Sequence, residues 1–361
     1  MALKSLQSKR LILFSAIGLT VFLLYLNFYV GTGNFVDVIK QANIYLYVSA
    51  FAAFIVGSIF SALTWYSLLN NLNVQTSIRR TVILTFAGYF LDATLPDPGW
   101  SGDISKAYML SKKSGEDVGK TVASVVGQKI ISMAVTIFIL ILGFGLLAFE
   151  FVLPQQVIVF FGIVVALAIG SFLVVYIMSS SLKSTKTLLN RILIPILSFL
   201  LRSRFNEKRF RAEAEKFLEI FHEGINTLKE EKRALVIPVI FYLLSVTFDI
   251  SVVFFVFASL GYTIPIDQVL IVYALTGTLA SIGVSFVGLT EIIMSTAYQL
   301  LLIPLAVSFS VTLLTRIVTL WFKLIVGYIT FQLAGVGLLL EKKPPTDLAD
   351  DTKVNSSKTT I

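Results

Sequence analysis

Six apolar stretches in this chain are each long enough to cross a lipid bilayer as a helix: Leu11–Val30, Ile44–Leu69, Thr121–Phe149, Val157–Met178, Ala234–Leu260 and about Ser310–Leu340. A crossing needs roughly 20 predominantly apolar residues. Within lipid, a spanning chain must satisfy its backbone hydrogen bonds internally. Hydrophobic residues make up 56% of the chain and charged ones 14%, too few charges to clothe a soluble domain of this size. The chain therefore reads as an all-α integral membrane protein. Lys4, Lys9 and Arg10 precede the first stretch, which exceeds a signal-peptide core and is read as a retained helix.

Composition also removes whole classes of chemistry. There is no Cys, so disulfides, thiolate metal sites and cysteine nucleophiles are excluded. A single His, His222, excludes a multi-histidine metal site. No cofactor or metal is expected. The net charge of +8 reads as loop orientation rather than nucleic-acid binding.

Charge in the loops sets the expected topology. Lys4, Lys9 and Arg10 place the N-terminus in the cytoplasm, and Arg79, Arg80, Lys112, Lys113 and Lys120 mark later returns. Segment 179–233 carries 12 Lys and Arg against 7 Glu and is read as a basic cytoplasmic insert. Lys342 and Lys343 bring the C-terminus inside, ahead of a polar tail, 341–361, read as disordered. The expected location is the cell membrane, with both termini cytoplasmic.

Two regions do not fit clean crossings. Residues 91–110 read LDATLPDPGWSGDISKAYML, and the region 267–304 is interrupted by SFVGLTE. Each is expected to form a re-entrant or broken helical hairpin, with tips at Pro96–Gly102 and near Gly288. Two full crossings in place of either hairpin leave the charge parity unchanged, so parity alone does not decide re-entrance. The flanks match as well: a crossing precedes and follows each hairpin. Glycine and acid stand together at each tip, Gly99 and Gly102 with Asp103, Gly288 with Glu291. A cation follows each acid, Lys129 after 26 residues and Arg316 after 25. The expected architecture is one membrane domain, 1–340. It holds two inverted repeat units, about 44–149 and 234–340, that place a transport site at the midplane.

A charge at bilayer depth costs several kcal/mol unless paired or hydrated, roughly 2.5–3.5 on insertion scales. The interrupted stretch thus implies a polar cavity. Pro96, Pro98 and Gly99 break the helix. The N–H groups of Gly99–Asp103 and a helix starting at Ile104 offer an anion cradle, or Asp103 caps that helix. Lys106 shares a helical face with Asp103. Asp103, Lys106, Lys129, Glu291 and Arg316 are the candidate substrate-binding residues; the alternative is structural ion pairing. Lys323 is read as snorkelling inward although it lies mid-helix. Asp92 and Asp249 either carry a coupling proton or bond a neighbouring hydroxyl, the second being preferred for Asp249.

In the basic insert, 187–201 is apolar and broken by Pro195, a candidate interfacial segment. Phe210, Ala214, Phe217, Leu218, Phe221, Ile225 and Leu228 make one apolar helix face. That face rests on headgroups or packs under the bundle. His222, flanked by glutamates, is expected to be solvated. Gly99–Gly102 reads GWSG, the motif of rhomboid-type serine proteases, but such an enzyme needs a neighbouring histidine base. No enzymatic activity is expected.

These motifs resemble the transmembrane domain of the lysylphosphatidylglycerol synthase/flippase family. The first family motif stands as Pro96-Asp97-Pro98-Gly99-Trp100-Ser101-Gly102-Asp103-Ile104-Ser105-Lys106. The second stands as Gly288-Leu289-Thr290-Glu291 with Arg316 and Trp321, and Trp65 matches an early tryptophan. Where the family often has Glu-Arg, this chain has Gln128-Lys129, and Lys106 stands where Arg is frequent. The positive charges are kept and one acid is lost. Full-length synthases add a soluble aminoacyl-transferase domain, so the resemblance, ending near residue 340, implies the flippase half alone. The expected function is movement of a phospholipid or lipid-linked saccharide between leaflets. The alternatives are an ion-coupled solute transporter and a scaffold for a glycosyltransferase or lipid-modifying enzyme. Membrane lipids are the expected partners, with such an enzyme as a further one.

Overall fold

The computed structural model describes residues 40, 42–94, 100–150, 155–195, 207–281 and 288–334. The first apolar stretch, the tail, and Pro96, Pro98 and Gly99 lie outside the described residues. The chain is a helical membrane protein. The helices are α1 (Ile44–Asn71), α2 (Ile78–Thr94), α3 (Ser101–Ser114), α4 (Val118–Glu150), α5 (Gln155–Ser180) and α6 (Leu182–Leu188). They continue with α7 (Glu207–Glu230), α8 (Val236–Ser259), α9 (Ile266–Ser281), α10 (Leu289–Leu300) and α11 (Leu305–Ala334). Helix α11 winds as a π-helix over Ile317–Phe322. Five helices are long and apolar enough to cross a membrane: α1, α4, α5, α8 and α11. They fall on the five apolar stretches that the sequence marks after the first.

Both interrupted regions are pairs of short helices. At ~1.5 Å per residue, α2 and α3 reach about 26 and 21 Å, and α9 and α10 about 24 and 18 Å. A bilayer core is ~30 Å thick, so none of the four crosses it comfortably when straight. In the first pair α2 ends at Thr94 and α3 begins at Ser101 rather than at Ile104. In the second α9 ends at Ser281 and α10 follows Gly288, whose φ of 93° is a backbone that glycine adopts without steric cost.

Helices α1 and α8 form the axis of the bundle and run antiparallel along their whole length. The Asn43 N–H donates to the Ser259 carbonyl at one end, and Asn71 Nδ2 donates to the Ala234 carbonyl at the other. They cross closely at Gly57, where a Cβ would stand 3.1–3.2 Å from Asp249, Phe248 and Ser245. Around this axis, α2 packs on the second half of α11, and α9 packs on α4. A glycine sits at each contact: Gly327 against Phe86 and Phe90, Gly143 against Leu270 and Ile271. Small residues let helix backbones approach, and inside a membrane that close packing replaces the hydrophobic effect.

Helix α7 lies against the first turns of α4. Gly119 meets Ile220, Gly224 meets Ala123, and Gly127 meets Leu228. Leu218, Phe221, Ile225 and Leu228 are buried there. Of the two readings of this amphipathic helix, the structure selects packing under the bundle. His222 corrects an expectation: it is only 4% exposed, not solvated. Its Nδ1 lies 2.8 Å from the Leu218 carbonyl and its Nε2 3.4 Å from Thr185 Oγ1 on α6.

Two large apolar clusters make up most of the core among the described residues. One apolar cluster gathers Ala53, Leu140, Val252, Ile271 and Val311; the other gathers Trp65, Leu84, Leu110, Val125 and Phe221. Between the residues that α1 and α4 give to the two clusters stand Ser58 and Ser61 on α1 and Lys129 and Ser132 on α4, a polar band joined by Tyr242 of α8. The candidate site occupies that band.

Candidate functional site

Helix α3 starts with its backbone N–H groups unspent, since the first turn of any helix has no partners within it. Asp92, near the end of α2, supplies one: its Oδ1 accepts from the Gly102 N–H at 2.7 Å and lies 3.5 Å from Ser101 Oγ. The anion at this helix start is therefore the chain's own carboxylate. The pairing needs the backbones of α2 and α3 in contact, and Gly88 and Gly102 allow it. A Cβ on Gly102 would fall 2.1 Å from the Gly88 carbonyl oxygen.

With Asp92 capping, Asp103 is released from that role and turns to the lysines. Its Oδ1 is 2.7 Å from Lys106 Nζ, and its Oδ2 is 3.9 Å from Lys129 Nζ. Lys106 also donates to Gln128 Oε1 at 3.0 Å and lies 4.9 Å from the centre of the Trp65 ring. Gln128 is fixed in turn by its Nε2 donating to the Ser61 carbonyl at 3.0 Å, and Trp65 Nε1 donates to Ser124 at 2.9 Å. Lys129 sits 5.2 Å from the centre of the Trp100 ring. An aromatic face attracts a cation electrostatically, so both ammonium groups keep a favourable environment away from bulk water. Asp92 and Lys323 add their charges to this group of Asp103, Lys106 and Lys129. Gln128 accepts from Lys106 but cancels no charge.

Glu291 and Arg316 build the second ion pair. Arg316 Nε donates to Glu291 Oε1 at 2.7 Å, and Oε2 accepts from the Gly288 N–H at 2.7 Å. Glu291 thus holds the start of α10 and the cation of α11 together. The structure joins each acid with the cation 25 or 26 residues later, as the spacing suggests. It does not place Glu291 or Arg316 in the wall of the cavity described below.

Lys323, just after the π-helical turn, packs 4.2 Å over the Tyr89 ring. Asp92 and Asp249 are the acids whose charges bear on it most strongly. The Tyr89 hydroxyl reaches Ser61 and Ser58, and the Tyr273 hydroxyl lies 3.5 Å from Asp249 Oδ2. The tyrosines are the functional-looking groups that sequence reading missed, because a tyrosine in an apolar helix reads as an aromatic core residue. Trp321, matched to a family aromatic, is 48% exposed on the outer face.

A cavity of about 190 Å³ opens between α4, α5, α8 and α9. Lys129, Ser132, Ser171, Tyr242, Tyr273 and Gly277 contribute to its wall. That volume is room for about six water molecules at ~30 Å³ each, enough for part of a headgroup. The GWSG serine is not set up as a nucleophile: Ser101 Oγ donates to the Leu91 carbonyl at 3.3 Å, and both nitrogens of His222 are engaged on α7 and α6. Among the described residues, no group of three or more acids and histidines converges as a metal site requires.

The family profile described as "Lysylphosphatidylglycerol synthase TM region" matches residues 14–327. A UPF0104 membrane protein of Pyrococcus horikoshii is 26% identical over 321 residues, covering 86% of this chain and 93% of the relative. A UPF0104 membrane protein of Methanocaldococcus jannaschii is 23% identical over 321 residues, covering 86% and 90%. No solved structure matches the chain at a significant level.

Proposed function

This chain belongs to the lysylphosphatidylglycerol synthase transmembrane-region family, and from that premise we propose that it moves an anionic lipid between leaflets. The headgroup crosses through the midplane polar band while the acyl chains stay in the bilayer. The observation that carries this reading is the cavity faced by Lys129 and hydroxyls in the middle of an apolar bundle. Charged groups are costly at that depth, and they mark substrate paths when they face a bundle interior.

The packing order supports two inverted units. Exchanging α1 with α8, α2 with α9, α3 with α10 and α4 with α11 maps the main helix contacts onto one another. The antiparallel α1–α8 axis has the inverted direction that such an exchange requires. In this reading the α2–α3 and α9–α10 hairpins enter from opposite faces, as broken helices do in inverted-repeat transporters. The driving force is an ion gradient, a potential or the lipid's own gradient.

A leaflet-exchange assay tests the function. Fluorescent anionic phospholipid in proteoliposomes is exposed to a membrane-impermeant quencher, and the rate of inner-leaflet loss is read. The intact chain is expected to accelerate exchange and Lys129→Ala to slow it at least tenfold. Exchange by Lys129→Ala at the parent rate removes the cavity from the mechanism. Ser101→Ala is expected to exchange at the parent rate. Cleavage of an added peptide by the parent, lost in that variant, would instead reveal a protease.

Orientation has its own test, made simple because the chain has no Cys. With both termini cytoplasmic, cysteines at Lys112 and Glu230 should react with an impermeant maleimide only in inside-out vesicles. A cysteine at Tyr262, in the exposed α8–α9 link, should react only in right-side-out ones. The reverse pattern inverts the topology.

A further inference from the structure

We infer that Asp249 is the coupling site of this transporter: it binds one proton with each anionic headgroup, so that lipid and proton cross together. The inference rests on the proposed lipid transport and names the ion that drives it.

Three acids of the broken hairpins are firmly held. Asp92 accepts from the Gly102 N–H, Asp103 meets Lys106 and Glu291 meets Arg316, each at 2.7 Å. Asp249, within α8, is not held in this way. Among the described residues it makes no ion pair, and its one hydrogen-bond contact, from the Tyr273 hydroxyl, is 3.5 Å long. Ordinary O–H···O bonds measure ~2.5–3.0 Å. The carboxylate lies at the close crossing with α1, where a Cβ on Gly57 would stand 3.1 Å from Oδ1, and it is partly accessible. A carboxyl at bilayer depth is costly, and one without a firm partner marks a proton or ion path. Tyr273 lines the cavity, so Asp249 stands one hydroxyl behind the headgroup space. The other titratable groups that bear on it are Lys323 from α11, Tyr89 from α2 and Tyr242 of α8 itself, while α1 presents Gly57. Tyrosine hydroxyls keep their protons near neutral pH, which leaves Asp249 and Lys323 as the charges here.

The Tyr273 hydroxyl links the two binding events. A hydroxyl both donates and accepts. With Asp249 ionised, the tyrosine O–H points at Oδ2, and Lys323 supplies a counter-charge. When Asp249 takes a proton from water, its own O–H donates to the tyrosine oxygen instead. The tyrosine hydrogen then turns to the cavity and donates to a phosphate oxygen of the headgroup. A bound proton thus adds a donor for the headgroup, and a bound headgroup holds the proton; the effect is reciprocal by linkage. When the lipid leaves in the other leaflet, the tyrosine hydrogen returns to the carboxylate and the proton passes back to water. Only O–H bonds form and break. One phosphodiester charge and one proton cross as a neutral pair.

The test uses the full chain in phosphatidylcholine liposomes with a trace of fluorescent phosphatidylglycerol, at equal pH and with the lumen one pH unit more alkaline. One unit can sustain at most about a tenfold ratio between leaflets for a one-to-one pair. The parent should spread the label evenly at equal pH and concentrate it at least threefold in the lumenal leaflet under the gradient, above the level in protein-free vesicles. Asp249→Asn fixes the neutral form, so it should exchange the label without concentrating it. Tyr273→Phe keeps the acid but removes its link to the cavity, and should lose most of the enrichment. A melting scan confirms that each variant is folded, and either variant alone suffices. An even label in a parent that exchanges overturns the inference, as does enrichment in the leaflet on the acidic side. Full enrichment in either folded variant also overturns it and assigns the proton to another group, Lys323 first. Exchange lost in both folded variants places the two residues in the headgroup path instead of in coupling. Failure of the transport reading looks different: the parent moves no label under either condition.

Discussion

Arg316→Ala is expected to lower the melting temperature of the purified protein by roughly 6–10 °C. The Arg316–Glu291 pair is 2.7 Å long, with side chains 13% and 5% exposed. Removing one partner of a buried pair costs about 3–5 kcal/mol, because the other is left as an uncompensated charge. Each kcal/mol moves the midpoint of a domain this large by ~2 °C. A second change separates the two roles this arginine can have. In Glu291→Gln/Arg316→Ala the neutral amide oxygen still accepts the Gly288 N–H, so the start of α10 keeps its hold and no charge is stranded. The double variant should recover most of the lost stability. If its lipid exchange recovers as well, Arg316 serves architecture alone. If it stays folded and slow, Arg316 contributes to the path of the headgroup. A single variant that melts within about 1 °C of the parent would show that the ion pair carries no stability.

The parts of this molecule that sequence made legible are those written in composition along the chain. Crossings announce themselves as apolar runs, because lipid leaves the chain few alternatives. The two interruptions stand out for the same reason, and their acids and cations were found as pairs because intramembrane charges seek partners. What stayed hidden depends on which groups approach in space. Asp92 read as a carrier of a coupling proton or the partner of a neighbouring hydroxyl, yet its Oδ1 caps α3 ten residues later. His222 looked solvated because Glu219 and Glu223 flank it, but it lies four residues after Leu218 and three before Ile225, both buried. Helical neighbours, not sequence neighbours, set its surroundings. The π-helical turn after Arg316 left no mark in the pattern. It sets how Lys323 is presented to Asp92 and Asp249, because a π-turn shifts the faces that follow it.

Gly102→Ala is expected to abolish recovery of monodisperse protein, the largest effect of any single methyl group in the bundle. The added carbon would lie 2.1 Å from the Gly88 carbonyl oxygen and 2.6 Å from Asp92 Cγ. The first neighbour is backbone, so no rotamer change relieves it; α2 and α3 must separate. Separation breaks the Gly102–Asp92 hydrogen bond, and with it the placement of Asp103 between Lys106 and Lys129. Stability and the headgroup site should therefore fail together. Gly162→Ala and Gly170→Ala on α5 provide the contrast, since nothing lies within 4 Å of either added carbon. They should be recovered normally and gain up to about 1 kcal/mol from the better helix propensity of alanine. A third variant identifies which neighbour governs. Gly102→Ala/Asp92→Ala removes the side-chain collision and leaves the backbone one, so it should fail as the single change does. Recovery of folded protein from that double variant would mean that Asp92, and not the crossing of α2 over α3, sets the distance between the two helices. The cluster around Asp103 would then depend on one hydrogen bond instead of on the packing of the hairpin.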